Sequence, residues 1–374
     1  MQALHSIALL QPCATSPRSI AHRTRILITP SLPRRCTCAA VFAPAPARQA
    51  RPALGRPLRP PQAIQEPGSS TDLVPGTPAG QLPIRGEDAA QFDIQQQSAQ
   101  SWTIFFGLLT GVLGLLYLVW IQPGVGLADD YVATIQAATD SNPEATIIAI
   151  LAVFALFHSG LAALRPAGEK LIGARAYRVI FALVSLPLAL VAVVYFINHR
   201  YDGTPLWNVR GVAGVHEVVW ALNFLSFYFL YPSTFNILEV AAVDEPKLHM
   251  WETGIMRITR HPQMVGQLIW CAAHTLWIGN SFMVTTSLGL MAHHLFGCWH
   301  GDRRLAAKYG EAFEAVKSRT STFPMQAVWE GRQVLPADYY KEFLRVPYLA
   351  VTAFTLGAYL VHPLMQRGSY YLGW

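Results

Sequence analysis

Two histidines in the middle of long apolar runs without charged residues are the side chains of this chain best suited to carry chemistry. His158 lies in FALFHSGLAAL and His274 in LIWCAAHTLWIGN. An imidazole in hydrocarbon is costly unless a partner, a cavity or a metal satisfies it. Cys271 precedes His274 by three residues, which on a helix places thiol and imidazole on one face, a turn apart. This set is typical of axial ligation of a buried haem iron, although a lone intramembrane histidine more often hydrogen-bonds a neighbouring helix.

Other residues are placed to complete such a site. If the apolar runs on either side of 279–281 form a hairpin, His293 and His294 lie a turn or two from His274, toward the basic side. Adjacent residues on a helix point about 100° apart, so at most one of this pair faces a shared site. Arginines at the same end are suited to hold two propionates, and arginines at a membrane boundary also serve as anchors. These are Arg257, Arg260, Arg303 and Arg304.

Composition indicates a membrane protein with a removable leader. The chain is 52% hydrophobic and 13% charged, whereas a soluble domain carries about 25% charged residues. Nine arginines and no acidic residue precede Glu66, in a stretch rich in Ser, Thr, Ala and Pro. We therefore predict a plastid transit peptide over 1–60, a disordered linker over 61–100 and a helical membrane domain over 101–374. The net charge of +6 belongs largely to the leader, so no nucleic-acid partner is expected.

Seven apolar runs predict an all-α integral membrane protein with about seven transmembrane helices. The runs are Trp102 to Ile121, Ala145 to Leu164, Val179 to Ile197, Val212 to Tyr231, Met264 to Ile278, Phe282 to Cys298, and Tyr348 to Met365. The connections after the second, fourth and sixth runs are basic, whereas those after the first, third and fifth are acidic or nearly uncharged. This alternation predicts that the basic connections face the side of synthesis, which in a plastid is the stroma.

The motifs of the fifth and sixth runs resemble the NnrU family, and within it the plastid members. GIMRITRHPQMVGQLIWCAAHTLWIGNS carries the resemblance, with FHSGLAALRP upstream and MAHHLFG downstream, and it extends from about Trp102 to His362. The resemblance implies a multi-pass chloroplast membrane protein that binds haem b. It also implies conversion of the 15-cis bond of 9,15,9′-tri-cis-zeta-carotene to trans, giving 9,9′-di-cis-zeta-carotene. The family's histidine ligands map onto His158 and His274, and its redox-exchanged ligand maps onto Cys271.

A mechanism follows partly from residues and partly from this resemblance. A cis-to-trans change has no net redox stoichiometry, so we hypothesise that ferrous haem iron serves as a Lewis site with His158 and His274 as its catalytic ligands. A vacancy for the polyene requires one ligand to leave, and the adjacency of Cys271 and His274 provides a candidate switch. The expected partners are zeta-carotene, membrane lipid and an unidentified reductant.

Two other classes of function stay open. RHPQMVG, followed by DRRLAAKYGEAFEAVKSRTSTFP, also resembles the cofactor-binding end of the isoprenylcysteine methyltransferase group. In that interpretation His261 and Tyr309-Gly310 hold S-adenosylmethionine, and the intramembrane histidines are structural. The second class is a haem electron-transfer protein without an isomerisable substrate. A visible spectrum separates the first class from the haem proteins, and added tri-cis-zeta-carotene separates the second.

Overall fold

The computed structural model describes residues 98–230, 253–344 and 346–374. Within these ranges every regular element is a helix, and the only β-type pairing is an isolated bridge between Pro205 and Asn280. The all-α prediction is therefore confirmed for the described part of the chain. The predicted transit peptide (1–60) and all but the end of the predicted linker (61–100) lie outside the described residues.

Ten α-helices follow one another along the described ranges. They are α1 (Ala99–Leu115), α2 (Leu127–Ala138), α3 (Pro143–Ile172), α4 (Ala174–His199), α5 (Val215–Leu230), α6 (Pro262–Ile278), α7 (Ser281–Tyr309), α8 (Glu311–Arg319), α9 (Gln326–Trp329) and α10 (Val346–Leu372). A π-helical segment, Leu116–Ile121, continues α1, and 3-10 turns occupy Gly254–Arg257 and Tyr339–Phe343.

Within the described ranges, four helical segments are long and apolar enough to cross a membrane. They are Ala99–Ile121, Pro143–Ile172, Ala174–His199 and Tyr348–Leu372. The other three predicted spans also fall on helices, namely α5, α6 and the first part of α7. Spanning takes about 20 residues, whereas α5 has 16 and α6 has 17. The structure thus shows four candidate spans, and a total of seven stays a prediction.

Local signals in the sequence explain where the central helices begin and end. The side chain of Asn142 accepts a hydrogen bond from the Ala145 amide at 2.8 Å and caps α3, and Asn280 caps α7 in the same way. The predicted tight hairpin between α6 and α7 is confirmed. At its turn Gly279 has φ +68, and a Cβ there would lie 2.3 Å from the carbonyl oxygen of Trp207, so only glycine fits.

Small residues set the close packing of the bundle. A Cβ on Gly266 of α6 would lie 2.8 Å from the backbone of α5 at Leu230 and Ser226, so these two helices meet backbone to backbone. Gly289 of α7 likewise receives the side chains of Ile148 and Leu151 from α3. In this way α7 lies beside both α3 and α6, the two helices that carry the predicted ligands.

The predicted basic and acidic connections lie at opposite ends of the bundle. At the basic end, Arg260 pairs with Asp302, and Arg304 reaches the backbone of α3. At the other end the hydroxyl of Ser281 donates to Glu144 at 2.7 Å, beside the acidic first connection. Successive helices such as α6 and α7 therefore run in opposite directions, as the charge alternation predicts. This is the arrangement expected of a multi-pass protein.

Candidate functional site

His158 lies on α3, partly buried against α4 and α7. Its Nδ1 is 3.3 Å from the hydroxyl oxygen of Ser185, a buried residue of α4. Phe154 and Phe181 contact the imidazole with ring centroids 5.1 and 5.0 Å away. The Ser185 contact orients the ring and uses Nδ1, and no residue of the described ranges hydrogen-bonds Nε2. The imidazole therefore has one nitrogen available to a ligand within an apolar, aromatic surround.

The second imidazole of this group is His293 of α7. Its ring centroid is 5.9 Å from that of His158 and 5.7 Å from that of His294. The Nδ1 of His293 is buried and has no hydrogen-bond partner in the described part of the chain. A buried polar atom without a partner is costly, so this nitrogen is a candidate contact for a bound group. We call His158, His293 and His294 the α3–α7 histidine cluster.

His274 is oriented by its own helix. Its Nδ1 lies 3.0 Å from the carbonyl oxygen of Trp270, and its ring stacks on the Trp270 indole at 3.8 Å between centroids. A carbonyl can only accept, so Nδ1 carries the proton and Nε2 keeps its lone pair. Metal-bound histidines are commonly held in this way, with the second nitrogen donating to a carbonyl.

Cys271 of α6 is buried against α7, with 2% of its surface exposed. The side-chain amide of Gln267 donates to its sulfur at 3.4 Å, and Ser287 of α7 is also within hydrogen-bond reach. The thiol is thus one turn from His274, as the spacing predicts, and its polar neighbours are Gln267 of the same helix and Ser287 of α7.

The structure groups the predicted ligands in two places. Thr275 hydrogen-bonds Ser287 at 2.8 Å, which places His274 level with about residue 288 of α7. His293 is about five residues further toward the basic end, so the α3–α7 histidine cluster is offset from His274 by roughly 8 Å along the bundle. The ring contacts of His158 are with His293, Phe154 and Phe181, and those of His274 are with Trp270. The structure brings His158 to His293 rather than to His274.

Arg257 has partners within the protein. Its guanidinium binds Glu342 through Nε and Nη2, at 3.0 and 2.9 Å, and donates from Nη1 to Gln333. Buried, bidentate arginine–carboxylate pairs of this kind hold loops in place. The expected role of Arg257 as a propionate ligand therefore competes with Glu342 and stays a prediction.

Arg260 and His261 both contact Asp302 of α7. Arg260 Nη2 lies 2.8 Å from Asp302 Oδ2, and His261 Nε2 lies 3.1 Å from Oδ1. Burial by itself raises the pKa of the Asp302 carboxyl, but interactions with His261 and Arg260 lower it to about 2. The carboxylate is therefore charged at neutral pH and joins the start of α6 to α7. A propionate role for Arg260 would have to displace this pair, so it too stays a prediction.

The sequence interpretation did not single out Arg165, which the structure places beside Arg304. The Arg165 guanidinium lies 5.5 Å from the ring of Phe181, the same ring that contacts His158. Its Nε is buried without a hydrogen-bond partner in the described ranges. The available signal was its position seven residues after His158, which is two turns along one helix face.

The types of donor side chain at these two places are ones that bind haem iron. Both predicted histidine ligands use Nδ1 for orientation and leave Nε2 open, and a soft sulfur lies one turn from His274. The unsatisfied Nδ1 of His293 is a further donor or acceptor beside His158. Imidazole and thiolate in an apolar bundle are the ligands that haem proteins use. Within the described ranges there is no group of three His, Cys, Asp or Glu side chains arranged around one metal ion.

Comparison with known proteins agrees with these motifs. The profile of the NnrU protein family matches residues 146–367. The chain is 53% identical to 15-cis-zeta-carotene isomerase, chloroplastic, of Zea mays over 362 residues, covering 96% of this chain and 98% of that protein. It is 60% identical to the Arabidopsis thaliana protein of the same name over 290 residues, covering 77% of this chain and 78% of that protein. No solved structure matches the chain. The chain therefore belongs to the NnrU family.

Proposed function

We propose that the chain is a cis-trans isomerase that converts the 15-cis double bond of 9,15,9′-tri-cis-zeta-carotene to trans. The observation that carries this proposal is its 53–60% identity with two chloroplast 15-cis-zeta-carotene isomerases. The four long apolar helices suit a substrate that dissolves in lipid. We place the protein in a chloroplast membrane with multiple spans, and its product is 9,9′-di-cis-zeta-carotene.

The proposal includes haem b as the cofactor. His158 and His274 would hold it through Nε2, with Cys271 as an alternative ligand to ferric iron. When bound, haem supplies a Lewis-acidic iron that lowers the barrier to rotation about a double bond, provided that a reductant keeps the iron ferrous. Support comes from the orientation of both imidazoles through Nδ1.

The protein's own residues would exclude water and position the polyene. Phe154 and Phe181 surround His158, and Trp270 covers one face of His274. The apolar runs 145–164, 264–278 and 282–298 contain no acidic residue, so none of these runs supplies a carboxyl acid to protonate the substrate. A neutral, apolar surround therefore favours rotation of the intact polyene over protonation followed by rotation.

The experiment is conversion of purified tri-cis-zeta-carotene by the reconstituted protein. The protein is placed in phospholipid nanodiscs, reduced with dithionite and incubated in darkness, and the isomers are separated by chromatography. We expect loss of the 15-cis isomer in proportion to the amount of protein. The His158→Ala variant, the unreduced protein and empty nanodiscs serve as controls. Equal isomer ratios in the presence and absence of wild-type protein would contradict the proposal.

The two alternative functions give different results in the same preparation. A methyltransferase would bind S-adenosylmethionine near His261 and Tyr309-Gly310, which calorimetry measures directly. In the structure His261 contacts Asp302, so a cofactor bound by this histidine would compete with that carboxylate. A haem electron-transfer protein would show the haem spectrum and leave the carotene unchanged.

A further inference from the structure

Two arginines at the basic end of α3 and α7 lie close to each other. Arg304 donates from Nη1 to the carbonyl oxygen of Ala162 at 3.4 Å. That carbonyl is free because residue 166, four positions further along α3, is proline and has no N–H to donate. Arg165 is on the same stretch of α3. The two guanidinium groups are near enough to interact electrostatically, and burial together with repulsion by Arg165 lowers the pKa of Arg304.

Neither arginine forms an ion pair with a described carboxylate. Glu169 interacts with Arg304 only at longer range, beyond the separation of a salt bridge. The Nε of Arg165 is buried without a partner. By contrast, Arg257 and Arg260 each hold a carboxylate at 2.8 to 2.9 Å. Two partly buried like charges repel each other unless an anion lies between them. The two arginines are therefore suited to bind an anion, and no carboxylate of the described ranges forms an ion pair with them.

The two side chains point toward the α3–α7 histidine cluster. Side chains of a helix lean toward its N-terminus, and α3 and α7 both run from the acidic end of the bundle to the basic end. Arg165 follows His158 by seven residues, about 10 Å along α3, and both side chains contact the ring of Phe181, at 5.5 and 5.0 Å from its centroid. An anion bound by this pair would therefore lie just beyond the cluster, at the membrane boundary.

We propose that Arg165 and Arg304 bind the carboxylates of the haem held by the histidines. This inference rests on the haem assigned under the proposed function. Haem carries an apolar macrocycle and two carboxylates at one edge, which matches a histidine cluster inside the bundle with two unpaired arginines at its basic end. Carboxylate is also the anion that the arginine fork binds in bidentate fashion. An anionic lipid headgroup shares this chemistry, and the experiment below separates the two sources.

The first test changes the ligand and leaves the protein intact. Apoprotein in phosphatidylcholine nanodiscs is titrated with haem and with haem dimethyl ester, which lacks both carboxylates, and dissociation constants are read from the Soret band. If the pair binds carboxylates, wild type should prefer haem over its diester by on the order of 100-fold, about tenfold for each arginine. Equal affinities would overturn the proposal.

The second test changes the protein. The double variant Arg165→Gln/Arg304→Gln should bind haem and diester equally well, with axial ligation unchanged in its spectrum. Arg165→Lys/Arg304→Lys should recover part of the preference. Arg303 was among the arginines expected from the sequence to hold propionates, but the structure leaves it exposed over the ring of Trp299. Arg303→Gln is therefore the matched control. If the Gln double variant keeps the wild-type preference, the pair does not bind the carboxylates. If it fails to fold, the ligand titration and the Lys variant still decide.

A third experiment tests whether an anionic lipid headgroup, rather than haem, binds Arg165 and Arg304. Thermal stability is compared in phosphatidylglycerol and phosphatidylcholine nanodiscs without haem. A stabilisation by phosphatidylglycerol that the Gln double variant loses, with no preference for haem over its diester, would assign the site to lipid and overturn the cofactor assignment. Absence of any Soret band in wild type would overturn this inference together with the proposed cofactor. That outcome differs from failure of the arginine pair alone, in which wild type and variant bind haem alike.

Discussion

His158 of α3 and His293 of α7 hold their imidazole rings 5.9 Å apart between centroids, at an interplanar angle of 70°. Two imidazoles on neighbouring helices at this separation form a polar pair within an aromatic surround, and the Nδ1 of His293 has no protein partner in the described ranges. This relationship makes His293 part of the immediate surroundings of His158.

Substitution of either predicted ligand should abolish haem binding and activity. His158→Ala and His274→Ala each remove an imidazole whose Nε2 is open to iron. We expect the Soret band to be lost or strongly reduced and isomerisation to fall to background. His216→Ala is the control, because this side chain is largely exposed at the start of α5 and contacts Trp277 rather than either predicted ligand. Full activity in either ligand variant would remove that residue from the assignment.

Substitution of His293 should have a smaller effect than substitution of His158. The His293 ring contacts His158 and Phe154, so His293→Ala leaves a cavity beside the proposed ligand. We expect the haem-to-protein ratio after purification to fall partially. The haem that is retained should show the same axial-ligand bands in its spectrum as the haem of the wild-type protein. His294→Ala provides the comparison within the same pair. Complete loss of the axial signature in His293→Ala would make His293 the ligand instead.

Cys271 should determine the ligation and the reduction potential of the ferric haem iron. If its thiolate is an alternative ligand to ferric iron, Cys271→Ala should give a purely bis-imidazole oxidised spectrum and a higher reduction potential, because thiolate stabilises Fe(III). Haem binding by the reduced protein should persist. Cys298→Ala is the matched control on α7. Identical redox titrations of wild type and Cys271→Ala would show that Cys271 only packs, which is the ordinary role of a buried free cysteine.

The Asp302 carboxylate should stabilise the basic end in a pH-dependent way. Its pKa falls from 3.8 to about 2 on folding, which corresponds to roughly 2 kcal/mol. Because the folded pKa is the lower one, this stability is complete above about pH 4 and is lost as the pH falls toward 2. Asp302→Asn should therefore lower Tm in detergent by several degrees at pH 6, and the difference should shrink as the pH is brought from 4 toward 2. A difference in Tm that is constant over this range would contradict the assigned charge.

Gly266 should be required for the contact between α5 and α6. A Cβ at this position meets backbone atoms of Leu230 and Ser226 at 2.8 Å, so Gly266→Ala forces the two helices apart. We expect a loss of stability of about 1 to 3 kcal/mol. Gly297→Ala is the control, because nothing lies within 4 Å of a Cβ there and alanine favours a helix. Thermal unfolding of both variants in the same detergent measures the difference, and equal Tm values would refute the close packing.

Much of this protein could be predicted from its sequence. Apolar runs of about 20 residues and the alternation of basic and acidic connections predict helices and their direction, because hydrocarbon and charge act on local composition. The spacing of Cys271 and His274 places them one turn apart, since a helix has a fixed period. The end of α6 at Gly279 and the hairpin that follows were likewise readable from a few adjacent residues.

Other features depend on which helices are neighbours. The sequence interpretation treated His158 and His274 as a pair, whereas packing of α3 against α7 brings His158 to His293. It also considered arginines near the basic ends of α6 and α7, but Asp302 and Glu342, which are distant in sequence, pair with Arg260 and Arg257. Arg165 and Arg304, which are distant in sequence, come near each other because α7 packs against α3. Contacts between helices depend on the shape of whole surfaces, so the tertiary structure alone decided them.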